Sequence, residues 1–367
     1  MSEAAAPLSP LGESLAIRTE ALCGVRSVIG EERALCDRVE AWARARFPAV
    51  RRVKDSLVVQ VDGPATPGRP RLALCGHLDT VPIPAADAGH PPRREGGRLV
   101  APGSSDMKGG LAVMMELAER LPRAARFADL VLVFYAREEG PFLENELGDV
   151  LREADELGGT DLALCLEPTD NVLQLGCVGS IHGTVVFDGR SAHSARPWQG
   201  ENAVHRAGAL LAALHARAPR EAVSGGLTYR EVMSVTRIEG GRARNVVPDR
   251  CTLNVNYRFA PDKALDAAAA ELVALGQAHG AKVELTDLSP ACPAYADHPL
   301  VRRLAERTGA PLEPKQAWTD VARLAAAGIP AVNFGPGATA QAHQQGEWVA
   351  LDALERGYQL LERFLAA

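Results

Sequence analysis

The chain has 367 residues, 47% of them hydrophobic and 23% charged, and with roughly 100–200 residues in a usual domain two or three domains are expected. Lys plus Arg number 40 against 46 Asp plus Glu, a net charge of −6 that offers no positive field to nucleic acid or an anionic membrane. No apolar run approaches the roughly 20 residues a bilayer needs, Met1 to Pro10 carries no basic segment followed by an apolar one, and a cytoplasmic protein is expected. The cysteines at 23, 36, 75, 165, 177, 251 and 292 form no Cys-x-x-Cys pair, as suits a reducing compartment and excludes cysteine-ligated zinc.

Along the chain, 11–47 reads as two helices, the second with Leu35, Val39 and Trp42 at helical spacing, followed by a strand over 56–61. Short apolar runs at 71–75, 130–136 and 161–166 suit buried strands, with helices at 110–121 and 148–157 before the second and third. This alternation predicts an α/β layer structure. From Cys177 the pattern becomes strand 181–188, helix 203–218, strands near 227–238 and 251–259, helix 262–279 and strand 282–288, the β-α-β-β-α-β order of a ferredoxin-like unit. Helices at 298–307, about 321–327 and 351–365, with a strand at 331–334, then resume the first pattern. The expected architecture is a discontinuous α/β domain, 1–176 and 292–367, with a smaller α+β domain inserted at 177–291.

The chemistry-bearing residues follow the apolar strands. Gly76-His77-Leu78-Asp79 places an imidazole two residues from a carboxylate, on one side of an extended backbone, where Asp79 can orient a metal-binding His77. Asp106 lies in the glycine-rich loop 103–110; Glu138-Glu139-Gly140 and Glu167-Pro168 end two strands; His343 follows Gly335-Pro336-Gly337. On an extended segment Glu138 and Glu139 point to opposite sides, so one can bind metal while the other faces a water. Singly, each has an ordinary reading: Asp106 as a helix N-cap, Glu138-Glu139 as a solvated strand end, Glu167 as a turn acid, His343 as a loop histidine. Together, two histidines and three carboxylates at strand ends fit two zinc-like ions about 3.5–4 Å apart with one bridging carboxylate.

These segments resemble the dizinc exopeptidase and deacylase family of aminoacylases, carboxypeptidases, acetylornithine deacetylases and succinyl-diaminopimelate desuccinylases, over nearly the whole chain. The carrying elements are Gly-His-Leu-Asp-Thr-Val-Pro at 76–82, Gly-Ser-Ser-Asp-Met-Lys-Gly-Gly at 103–110, Glu138-Glu139-Gly140, Glu167-Pro168, His193, Asn245-Val246-Val247-Pro248 and His343. The resemblance implies a zinc-exopeptidase-like catalytic domain with an inserted dimerisation domain, and two zinc ions per subunit, with cobalt or manganese as substitutes. His77 and Glu167 would hold one ion, Glu139 and His343 the other, with Asp106 bridging. Asp79 would orient His77, and Glu138 would be the general base. His193 would reach the partner's site in a homodimer and stabilise the oxyanion.

The segments Ser191 to Arg196, Leu227 to Glu231, Asn256 to Asp262, Trp318-Thr319-Asp320 and Asn333 to Gly337 are most similar to the desuccinylase branch of that family, which acts on N-succinyl-diaminopimelate in lysine and peptidoglycan precursor synthesis. By position in the family, Asn245, Arg258, Thr319 and Gly335 would contact substrate. Some desuccinylases carry an arginine just before the glycine matching Gly179, where this chain has Cys177-Val178. Acetylornithine deacetylation and dipeptide or carboxypeptide hydrolysis are the alternative activities within the family; a catalytically silent dimeric binding protein is the alternative outside it. No nucleic-acid or membrane partner is expected.

Overall fold

The computed structural model describes residues 7–367, so the sequence reading of the first six residues lies outside it. The chain divides into two units: one holds the chain up to Leu175 with Tyr295–Glu313 and Arg323–Ala367, the other Gly176–Ala294 with Pro314–Ala322. The sequence reading ran the first domain without interruption from residue 292; residues 314–322 instead cluster with the second unit.

In the first unit an eight-stranded sheet runs, edge to edge, Ala49–Val53, Ser56–Gln60, Asp129–Tyr135, Arg71–His77, Leu162–Cys165, Ala331–Asn333, Leu173–Leu175 and Leu312–Pro314. Four neighbouring strands, Asp129–Tyr135, Arg71–His77, Leu162–Cys165 and Ala331–Asn333, are parallel. Every residue of these four is buried, which is why they read as unbroken apolar runs rather than alternating ones. Helices Pro10–Cys23, Gly109–Arg120, Pro299–Thr308 and Leu351–Leu365 pack on one another, while Arg33–Arg44 and Leu147–Glu153 pack on strands Ala49–Val53 and Ser56–Gln60. Parallel strands share a direction, so their carboxyl ends lie on one edge of the sheet, the edge where open α/β sheets carry their sites.

The second unit is a five-stranded antiparallel sheet in the order Arg220–Ser224, Leu227–Gly240, Arg250–Phe259, Gly179–Asp188, Lys282–Ser289. Gly179–Asp188 and Arg250–Phe259 alternate in burial. Their inward residues, among them Ile181, Val185, Phe187, Leu253 and Val255, pack with Ala207, Leu210 and Leu214 of helix Ala203–Ala216 and with Ala268 and Leu272 of helix Leu265–Ala278. Its four long strands carry the ferredoxin-like pattern expected from sequence. The fifth, Arg220–Ser224, falls between the helix and strand expected at 203–218 and 227–238, where no element was expected; it is a short, mostly exposed strand joined to Leu227 through Gly225 and Gly226, both at positive φ.

That strand matters to the unit's stability. The carboxylate of Glu231 accepts hydrogen bonds from Arg220 Nη2 at 2.9 Å, Lys263 Nζ at 2.8 Å, Tyr257 Oη at 2.8 Å and the Ala260 N–H at 3.2 Å. Burial alone would raise its pKa, but these partners outweigh burial and hold it down at about 2. A carboxyl depressed in the folded state stabilises fully above its ordinary value of 4.5 and loses that contribution as pH falls from there towards about 2. Glu231→Gln at pH 7 is expected to cost about 3–5 kcal/mol, the usual cost of removing one partner from a buried ion pair, measured by urea unfolding. A variant within about 1 kcal/mol of the parent would reduce the network to the value of a surface pair.

Candidate metal centre

The carboxyl ends of the central strands carry His77, Asp79, Glu138, Glu139 and Glu167, and loops bring Asp106 and His343 to them, all in the first unit. Among the described residues, three sets place one donor atom each within 4.8 Å of one another: His77, Asp106 and Glu167; Asp106, Glu139 and His343; and His77, Glu138 and Glu139. The first two share Asp106. Cysteine takes no part in these sets.

His77 closes its strand and is 1% exposed. Its Nδ1 lies 3.1 Å from the Asp79 carbonyl oxygen and 3.6 Å from that residue's Oδ1. A carbonyl only accepts, so Nδ1 carries a proton, and Nε2, 3.1 Å from Asp106 Oδ1, is the nitrogen that faces the neighbouring carboxylates. Asp79, fully buried, also accepts the Glu139 N–H at 2.9 Å on Oδ2, and so ties two neighbouring strand ends together. Gly76 sits close under buried side chains just before His77: a Cβ there would lie 2.5 Å from Leu111 Cδ2 and 2.6 Å from Met107 Cε, so those side-chain ends would have to shift.

Asp106 does not cap the following helix. Lys108 occupies that cap, without a side-chain hydrogen bond, and the Asp106 carboxylate turns to His77 and to His343, whose Nε2 is 3.7 Å from Oδ2. Its loop opens on Gly103 at φ 73°, where a Cβ would stand 2.5 Å from Thr80 Cγ2. Glu138 and Glu139 depart from the expected geometry. Arg137 takes φ 66° and the strand gives way to a turn, so the two side chains do not alternate about an extended backbone, and each contributes a donor to the same His77 cluster. Glu167 is 4% exposed, unlike a solvated turn acid. His343 is half exposed, with Nε2 3.0 Å from Glu139 Oε1.

The electrostatics call for cations. Burial opposes charge on His77, yet the Asp106 hydrogen bond and the charges of Glu167, Glu138 and Asp79 raise its pKa well above the imidazole range. The Glu139 hydrogen bond raises that of His343. In addition, Asp79 Oδ1 is buried without a hydrogen-bond partner among the described residues. A set of imidazole nitrogens and carboxylate oxygens converging on shared points, with no thiolate, fits divalent ions of the zinc, cobalt or manganese kind. One contributor escaped the sequence reading. Glu347, 6% exposed, accepts the N–H groups of Gly103, Ser105 and Asp106, and the only hint of it was an acid four residues beyond His343.

Gly335 serves this region by spacing. Its N–H donates to Thr169 Oγ1 at 3.0 Å, its carbonyl accepts the Asn171 N–H at 2.9 Å, and a Cβ would meet the carbonyl oxygens of Leu166 and Glu167 at 2.4 Å.

The remaining sequence candidates lie in the second unit. His193 is exposed; its Nδ1 accepts the Ala195 N–H at 3.1 Å, which puts the neutral ring's proton on Nε2. The Asn245 carbonyl accepts the Ser194 N–H at 2.9 Å, so the loops carrying His193 and Asn245 are joined. Arg258 Nε donates to Asn256 Oδ1 at 2.9 Å; burial lowers its pKa, and no carboxylate among the described residues forms an ion pair with it. Thr319 is 4% exposed. Cys177 and Val178 are fully buried.

The chain is similar to known proteins over nearly its whole length. The chain is 37% identical over 348 residues to a Mycobacterium tuberculosis protein with the provisional name succinyl-diaminopimelate desuccinylase DapE, covering 95% of this chain and 96% of that one. It is 33% identical over 374 residues to succinyl-diaminopimelate desuccinylase of Corynebacterium glutamicum, covering 100% and 99%. A Staphylococcus aureus tripeptidase superposes with a TM-score of 0.77 at 19% identity, over 96% of this chain and 97% of that one. A Bacillus subtilis dinuclear metal-binding peptidase of the M20 family does so at 0.66 and 16%, over 96% and 97%. Residues 73–367 match the peptidase family M20/M25/M40, and with that span and those relatives the chain belongs to this family.

Proposed function

We propose that the chain hydrolyses N-succinyl-LL-2,6-diaminopimelate to succinate and LL-2,6-diaminopimelate, a step towards lysine and peptidoglycan precursors. The observation that carries the chemistry is the pair of His/carboxylate triads sharing Asp106, with Glu138 beside them. Kinship over almost the full chain with desuccinylases supports the substrate. His77 and Glu167 would hold one ion, Glu139 and His343 the other, and Asp106 both. Two zinc ions, replaceable by cobalt or manganese, would polarise the amide carbonyl and make water a nucleophile near neutral pH.

The residues divide the remaining work. Glu138 takes the proton of the attacking water as its oxygen bonds to the succinyl carbonyl carbon, then delivers that proton to the amine as the C–N bond breaks. His193, with Nε2–H free to donate, stabilises the oxyanion; in a homodimer it would do so in the partner's site. Arg258, a half-buried guanidinium without an ion pair, is suited to a substrate carboxylate, and Asn245 and Thr319 are further contacts. The second unit is accordingly proposed as the dimerisation unit, in a cytoplasmic enzyme.

The test is a substrate panel on zinc-reconstituted protein: N-succinyl-diaminopimelate, N-acetylornithine and a set of dipeptides. Selective release of succinate is expected. Turnover of N-acetylornithine or dipeptides without the succinyl substrate would reassign the enzyme within its family, and no turnover of any would favour a silent binding protein.

A further inference from the structure

We propose that Glu347 is a positioning residue for the metal centre, fixing the bridging carboxylate of Asp106 relative to His343; the proposal rests on the dinuclear reading above. Its carboxylate accepts three backbone N–H groups from the loop that carries Asp106: Gly103 at 2.6 Å on Oε2, Ser105 at 2.8 Å and Asp106 itself at 2.9 Å, both on Oε1. The Glu347 carbonyl accepts a fourth, from Ala101, at 3.0 Å. The side-chain bonds of Glu347 to Gly103, Ser105 and Asp106 all go to one loop, and they enclose its turn.

The origin of this side chain gives the contact its meaning. Glu347 belongs to the segment that bears His343 and then pairs as strand Trp348–Ala350 with Arg98–Val100. A buried carboxylate on one ligand-bearing segment thus holds the backbone of another. Asp106 supplies a donor to both triads, so a shift of its loop would loosen both ions at once. A carboxylate suits the task because it only accepts, and three N–H groups need an acceptor at each oxygen. Glutamine of the same shape would turn an NH2 group towards one of these donors.

The experiment measures zinc affinity by competition with a chromophoric chelator, alongside the thermal unfolding of metal-free protein, for the parent and Glu347→Gln. The expected result is about 10–100-fold weaker binding of both ions, the usual cost of losing a group behind a metal ligand, with turnover recovered by excess zinc. A metal-free unfolding midpoint close to the parent's would assign the loss to the centre rather than to the fold. A folded Glu347→Gln protein that binds two ions as tightly as the parent overturns the positioning role and leaves the dinuclear reading intact. A parent that binds fewer than two ions removes that reading, and the proposal with it. If the glutamine variant does not fold, Glu347→Asp, which keeps the charge and shortens the reach, is judged by the same affinity measurement.

Discussion

Glu138→Gln is expected to keep both metal ions and most of its substrate affinity while losing about 10²–10⁴-fold in kcat, the range that positioned proton transfer contributes. That loss is about 3–5 kcal/mol of barrier. Glutamine keeps the size of the side chain but cannot take up and return a proton. Glu138 belongs to neither of the triads that share Asp106, so its replacement leaves both of those donor sets whole. Metal analysis together with steady-state kinetics checks the expectation, and near-normal turnover would remove Glu138 from the mechanism. The same variant also addresses assembly: mixed with an inactive His193→Ala protein under subunit exchange, it should recover part of the activity if His193 completes the partner's site. No recovery despite exchange would place His193 elsewhere.

Asp106→Ala is expected to abolish activity and to empty the centre of both ions. Of the two triads that share Asp106, each of the other four ligands serves one, whereas Asp106 serves both. Its removal should weaken binding well beyond the about 10–100-fold associated with groups behind the ligands. Equilibration in buffered zinc followed by elemental analysis reads the outcome directly, with Glu167→Ala and His343→Ala, each lacking a donor to one ion only, as controls. A folded Asp106→Ala protein still holding two ions would mean that the bridging assignment is wrong.

The sequence made the first unit legible because buried parallel strands are unmistakable when each is a short apolar run ending in glycine, histidine or acid. His77, Glu138-Glu139 and Glu167 all stand immediately past such runs, and the sheet gathers them without help from other elements. What stayed hidden depended on backbone conformation or distant contact. The positive φ of Arg137, a residue with no preference for that region, brings both glutamates to one cluster, and no periodicity announces it. Strand Arg220–Ser224 buries only one side chain, so it has no alternating pattern to read. Glu347 acts through backbone N–H groups more than two hundred residues away along the chain. Short polar strands and acids that bind peptide groups leave little trace in composition.

The scatter of the ligands between His77 and His343 has a thermodynamic meaning. An unfolded chain cannot assemble donors so far apart, so ions would bind the folded form almost exclusively and act as ligatures across the parallel strands. At a free metal concentration of 100 times Kd, each such ion adds about 2.7 kcal/mol to the unfolding free energy. Metal supply would then govern how long the protein persists as well as how fast it works.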